Sequence, residues 1–238
     1  MNQRRWAVAL IVSAQWLGTS LWFSPNSAAD DLMAAWLIGP AQFAWLIAAT
    51  QSGFIAGTLW LAYSGWADRY STSRIFAIAC VSGAVFNGVF SAGWTGFESG
   101  LLLRFAVGLC LAGIYPLGMK MIVGWVGGKS GAALGLLVGM LTLGTALPHG
   151  VRALGATLPW QTVIQVSSVL ALAGAALVYF LGDGPHLKRS DGQRGASFAR
   201  AFGVFRIPDF RAAATGYFGH MWELMLFGRC CPGLQASS

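Results

Sequence analysis

The distribution of charge along this chain constrains its fold more than any other feature. Uncharged, mostly apolar stretches run from Trp6 to Ala29, Leu32 to Ala67, Ile75 to Phe97, Gly131 to Val151 and Ala153 to Gly182. Each is at least as long as the roughly 20 residues a helix needs to cross bilayer hydrocarbon. Overall, 56% of residues are hydrophobic and 10% charged, against roughly 45–50% and 25% in a soluble domain, which excludes an ordinary water-soluble fold. In lipid every backbone N–H and C=O must be paired inside the spanning structure, so only helices or closed barrels qualify. The runs lack the period-two alternation of barrel strands. An all-α membrane protein is therefore expected.

The expected spans are Trp6 to Ala28, Phe43 to Ala62, Arg74 to Trp94, Leu101 to Met121, Gly131 to Leu154, Trp160 to Leu181 and Ala212 to Phe227. They divide the chain into a six-helix transmembrane bundle over residues 1–182, a connecting loop over 183–209, a seventh transmembrane helix over 210–228 and an atypical tail over 229–238. The N-terminal run is too long for a signal-peptide core and further spans follow, so it reads as a retained helix.

The net charge of +7 does not mark a nucleic-acid binder, which concentrates its basic residues on a soluble face. Here Arg4, Arg5, Arg69, Arg74, Lys120, Lys129, Lys188, Arg189, Arg194, Arg200, Arg206 and Arg211 all fall in alternate connections, whereas the opposite ones carry Asp30, Asp31 and Glu98, with Arg152 the one exception. By the positive-inside rule the N-terminus and the 183–209 loop are cytoplasmic, in a multi-pass plasma-membrane protein of bacterial inner-membrane type. Trp6, Trp36, Trp45, Trp66, Trp94, Trp125 and Trp160 fall near span ends, where an amphipathic ring favours the interface. Around Phe198, Phe202 and Phe205 the loop suits a short amphipathic helix lying on lipid, or a plain solvated stretch.

Two short motifs carry a family likeness. The connection between the second and third spans reads SGWADRYSTSR, with Ala67, Asp68 and Arg69 in the pattern GxLaDRxGRR; Ser64, Trp66 and Ser71 replace its Gly, Leu and Gly. The fourth span, LLLRFAVGLCLAG, places Arg104 and Gly108 in the pattern LxxxRxxxG. In these the chain resembles the major facilitator superfamily of secondary transporters. That resemblance implies a six-helix N-terminal bundle, a basic loop and a seventh helix, followed in typical members by a second half. It implies a cavity lined by helices 1, 4 and 7. The expected function is proton-coupled or exchange transport of a small solute, with Arg104 pointing to an anionic one, impaired where the second half is lacking; the alternative is a non-transporting membrane fragment or scaffold.

Within this reading the substrate path is assigned to Trp16, Asn26, Arg104, Tyr115, His220 and Glu223, with Gln15, Gln51 and Asn87 as further polar residues inside spans. A cation inside a span costs at least about 2.5 kcal/mol, so Arg104 needs compensation. It either faces a watery cavity and holds an anionic solute or a carboxylate, or snorkels outward toward Glu98. Tyr217, His220 and Glu223 recur every third residue on one helical face, as a proton relay or a polar seam. Asp68, Arg69 and Arg74 form the expected cytoplasmic gate, with Asp68 pairing a basic residue or accepting from a helix N-terminus. Gly108, Gly131, Gly135 and Gly139 are expected to let neighbouring helices approach closely, while Pro25, Pro116 and Pro148 should break or kink their spans.

Enzyme chemistry finds no footing. GWVGGKSG fails as a phosphate loop because Val123 stands where the first Gly is required. The cysteines Cys80, Cys110, Cys230 and Cys231 lack metal-ligand spacing. No cofactor, metal or nucleic acid is expected; the partners are lipid, the solute, protons and either a second copy or a partner half.

Overall fold

The computed structural model describes residues 2–92, 95–127, 131–154, 159–187, 203–216 and 219. The chain divides into two compact units, Met1–Gln193 and Arg194–Ser238. Helices dominate, and no strand occurs among the described residues.

In the first unit the helices are α1 (Asn2–Phe23), α2 (Ala29–Trp36), α3 (Pro40–Ser64), α4 (Trp66–Arg69), α5 (Thr72–Phe90), α6 (Phe97–Ala112), α7 (Tyr115–Val126), α8 (Gly131–Leu154) and α9 (Trp160–Leu181). Among the described residues five stretches are long and apolar enough to cross a membrane: Gln3–Phe23, Pro40–Ser64, Thr72–Phe90, Phe97–Val126 and Trp160–Leu181. The helix α8 adds 24 residues with the same limits as the expected fifth span.

Three expectations about the spans need correction. The first span ends at Phe23 rather than Ala28. Pro25 has no N–H to give Leu21 O, four residues back, so the helix stops and a 3-10 turn, Asn26–Ala28, follows. The fourth span is neither continuous nor finished at Met121. It breaks between α6 and α7 and ends at Val126, because Pro116 cannot donate to Ala112 O, and Gly113 and Ile114 tighten onto Cys110 O and Leu111 O at 2.8 and 3.0 Å. The short α2, unanticipated, lies between the first two spans and ends at Leu37, whose φ of 53° is left-handed.

Start and stop signals elsewhere are local. Pro40 opens α3, where the Gly39 N–H donates to Gln42 Oε1 at 3.0 Å. Gly65, at φ 65°, closes it in a conformation that costs a residue with a Cβ far more. The tightest packing is α3 against α6. A Cβ on Gly53 would lie 2.1 Å from Phe105 O, and one on Gly108 2.1 Å from Thr50 O, so the two backbones touch. Gly57 approaches Leu109 in the same crossing. Gly53 and Gly57 form the four-residue small-residue spacing that favours such contact.

Helix α1 packs against α7, α8 and α9, and α5 lies between α6 and α9. At one end of the bundle the aromatic rings of Trp36, Phe90 and Trp160 meet edge to face, with centroids 5.2 to 6.4 Å apart. Trp160, expected at the lipid interface, is buried in this cluster and Trp36 is partly covered. The other end gathers basic residues, since Arg4 and Arg5 border Val126 and the α9 C-terminus lies beside Ser73. Large apolar side chains such as Ile78, Leu102 and Phe180 point outward, as lipid-facing residues do.

In the second unit a 3-10 turn, Val204–Arg206, precedes a helix over 208–216, and Phe205 and Phe210 stack edge to face. Most of the expected seventh span and the tail lie outside the described residues.

Candidate functional site

Arg104 is fully buried. It lies seven residues into α6, about 10 Å along the helix, and neither faces an open cavity nor snorkels to Glu98. Its Nη2 donates to Asn87 Oδ1 of α5 and its Nη1 to Leu21 O of α1 at 3.4 Å. Leu21 O is the acceptor that Pro25 deprives of its helical N–H donor in α1, and Ser24 Oγ also lies within hydrogen-bond distance of it at 3.2 Å. The Phe90 ring lies 4.3 Å from the guanidinium carbon, within cation–π range. Asn87 turns its amide the other way, donating to Ile164 O and Ser168 Oγ of α9, both at 2.9 Å, while Ser24 Oγ donates to Asn87 Oδ1 at 3.3 Å. One buried cation thus ties four helices through neutral partners. No carboxylate pairs with it among the described residues. The expected cavity placement of Arg104 is corrected accordingly: its charge is compensated inside an interhelical seam.

A second polar site lies where α1 crosses the break between α6 and α7. Gln15 is fully buried, and neither its Oε1 nor its Nε2 has a hydrogen-bond partner. Its Oε1 occupies the space that a Cβ on Gly118 would take, 2.0 Å away. Beside it Trp16 holds a buried, unpartnered Nε1. Gly18 lies against Ile114 at the break, and Tyr115, half-buried, opens α7. Unsatisfied buried polar atoms cost about 1–3 kcal/mol each, so this site is costly unless another ligand or conformation satisfies it.

The third site is the connection between α3 and α5. Lys120 of α7 reaches back to the one-turn helix α4, donating to Asp68 Oδ1 at 2.6 Å and to Ala67 O. Asp68 is well exposed and Lys120 less so. Close by, Asp183 accepts the Ser73 N–H at 2.8 Å in the first turn of α5, a favourable place for a carboxylate. The helix α7 ends under the segment that follows α9: His186 N–H donates to Gly124 O at 2.9 Å, and Gly184 sits directly on the Gly124 carbonyl. Arg69 and Arg74 have no acceptor among the described residues; both line a cavity of about 740 Å³ with Ser71, Ser73 and Asp183.

Of the expected path residues, Trp16, Arg104 and Tyr115 fall inside the bundle at two different levels. Asn26, expected on the first helix, sits exposed in the 3-10 turn beyond it. His220 and Glu223, with Tyr217, lie outside the described residues. Gly108 lies in the backbone contact described above, but a Cβ on Gly131, Gly135 or Gly139 would meet nothing within 4 Å. The expected close approach along that stripe is therefore absent among the described residues, and the glycines of α3 supply one instead. Lys120 and Asn87 took their partners from elements far away in sequence, which no local pattern announces.

A family model described as Major Facilitator Superfamily matches residues 6–234. No curated protein matches the chain.

Proposed function

From the chain's membership of the Major Facilitator Superfamily, a family of membrane transport proteins, we propose that it is the N-terminal bundle of a secondary transporter for a small polar solute, bound at the break between α6 and α7. The observation that carries this is the Gln15 amide, buried with both its donor and its acceptor unused beside a discontinuous helix. Discontinuous helices near the midplane are where transporters of several folds hold their solutes. An amide offers one acceptor and two donor hydrogens, suiting a polar solute better than a bare anion. The expectation of an anion rested on Arg104, whose guanidinium is taken up by Asn87 and Leu21 O.

Alternating access rocks one bundle against another around such a site. The described residues hold one bundle, so the mechanism calls for a second packed on its open face. Asp68 and Lys120 close the basic end in this arrangement, and separation of the pair accompanies opening. Proton coupling is the second part of the reading and rests on the spacing of His220 and Glu223. The placement of basic residues argues for a cytoplasmic N-terminus in the plasma membrane.

The test is a thermal-shift panel of neutral sugars, amino acids and monocarboxylates on the purified protein and two variants. A solute that stabilises the wild type and Arg104→Met but not Gln15→Leu supports the site. Equal stabilisation of Gln15→Leu refutes it.

A further inference from the structure

At the basic end of the bundle a polar cavity continues into an apolar groove. The cavity, about 740 Å³, is lined by Arg69, Arg74, Ser71, Trp66, Tyr70 and Asp183. The groove, about 460 Å³, runs between α5 and α9 past Val81, Leu172, Ala176 and Phe180. Ile78 and Tyr179 line both, so the two share a wall. Phe180 is 85% exposed and Ile78 66%, on faces that no described helix covers. From Arg74 to Val81 is seven residues along α5, about 10 Å, the distance from a headgroup phosphate into the upper acyl region.

The two guanidinium groups at the mouth have no acceptor among the described residues. Asp68, next to Arg69, is taken by Lys120, and Asp183 accepts from Ser73 N, so the lining sets two arginines against one engaged carboxylate. Trp66 and Tyr70 stack edge to face at the rim, 5.5 Å between centroids, as rings at the membrane interface do. A ligand that fills both halves must carry negative charge at one end and hydrocarbon at the other.

We infer that this composite groove is a binding site for one anionic phospholipid of the leaflet on the basic side. Its phosphate pairs with Arg69 and Arg74, and one acyl chain lies between α5 and α9. This goes beyond solute transport and holds whether or not Gln15 contacts a solute.

Native mass spectrometry of the purified full chain tests it, titrating phosphatidylglycerol against phosphatidylcholine with identical acyl chains. One phosphatidylglycerol is expected to bind about tenfold more tightly, from two arginines opposed by one carboxylate. Arg69→Gln with Arg74→Gln should abolish that preference, Arg69→Lys with Arg74→Lys should retain most of it, and Arg4→Gln with Arg5→Gln should leave it intact. Ala176→Trp, which fills the groove, should weaken both lipids, and glycerol phosphate without chains should displace neither. Equal binding of the two lipids, persistence of the preference in the double Gln variant, or displacement by glycerol phosphate overturns the inference.

Discussion

Replacing Asn87 by Leu removes the main acceptor of a buried cation. The substitution deletes the bond from Arg104 Nη2, the two 2.9 Å bonds to Ile164 O and Ser168 Oγ, and the longer one from Ser24 Oγ at 3.3 Å. A hydrogen bond to a charged group contributes about 1.5–3 kcal/mol, and neutral interhelical bonds in membranes average about 0.6 kcal/mol each. The expected loss is about 3 kcal/mol, or a melting shift of roughly 6–12 °C for a chain of this size. Leu21 O, at 3.4 Å, is the only protein acceptor then left to Arg104 among the described residues. Removing both partners should be far milder, since an apolar pair leaves no stranded charge. Asn87→Leu with Arg104→Met is therefore expected to recover at least about half of the loss. Thermal unfolding of the four proteins in one detergent measures this directly. If Asn87→Leu costs less than about 1 kcal/mol, or the double variant is no more stable than the single, the seam does not compensate Arg104 as argued.

Other substitutions separate packing from function. Gly53→Leu should lower melting by the equivalent of about 2 kcal/mol or more, because its Cβ alone would meet Phe105 O at 2.1 Å; Gly135→Ala, with open space around it, should change melting little. Gln15→Leu should raise stability by about 1–3 kcal/mol in the absence of solute, since it removes an unsatisfied buried amide. Asp68→Asn breaks a pair whose carboxylate is well exposed, so stability should fall by less than about 1 kcal/mol, while a cysteine introduced at Ala67 should label faster with a water-soluble maleimide. Tags at the N-terminus and after Gln193 should be protected on the same side of the membrane; opposite sides would contradict the charge-based orientation.

What could be read without coordinates follows the period of the physics involved. Long apolar runs must pair their own backbone in lipid, which makes them helices whatever their neighbours, and Lys and Arg orient them. Breaks near Pro25 and Pro116 were equally local, being losses of one donor each. Gly53 and Gly57 carry a local signal of the same kind as the α8 stripe, an apolar helix with small residues four apart, and only the packed structure shows that the α3 pair meets a neighbouring backbone. Asp68 announced a basic partner, but only the chain path could bring Lys120 to it across 52 residues.

Sequence alone therefore determined that the chain is a helical membrane protein and that a buried Arg104 must find compensation. Tertiary structure decided how that polarity is resolved. Arg104 places its two terminal nitrogens on an amide from α5 and a carbonyl that a proline deprived of its N–H donor in α1 and leaves only Nε without a partner, whereas both polar atoms of the Gln15 amide find nothing. The reason is that the cost of burying a polar group belongs to the residue, but the groups that offset it come from helices distant in sequence, and their identity is fixed only when those helices pack.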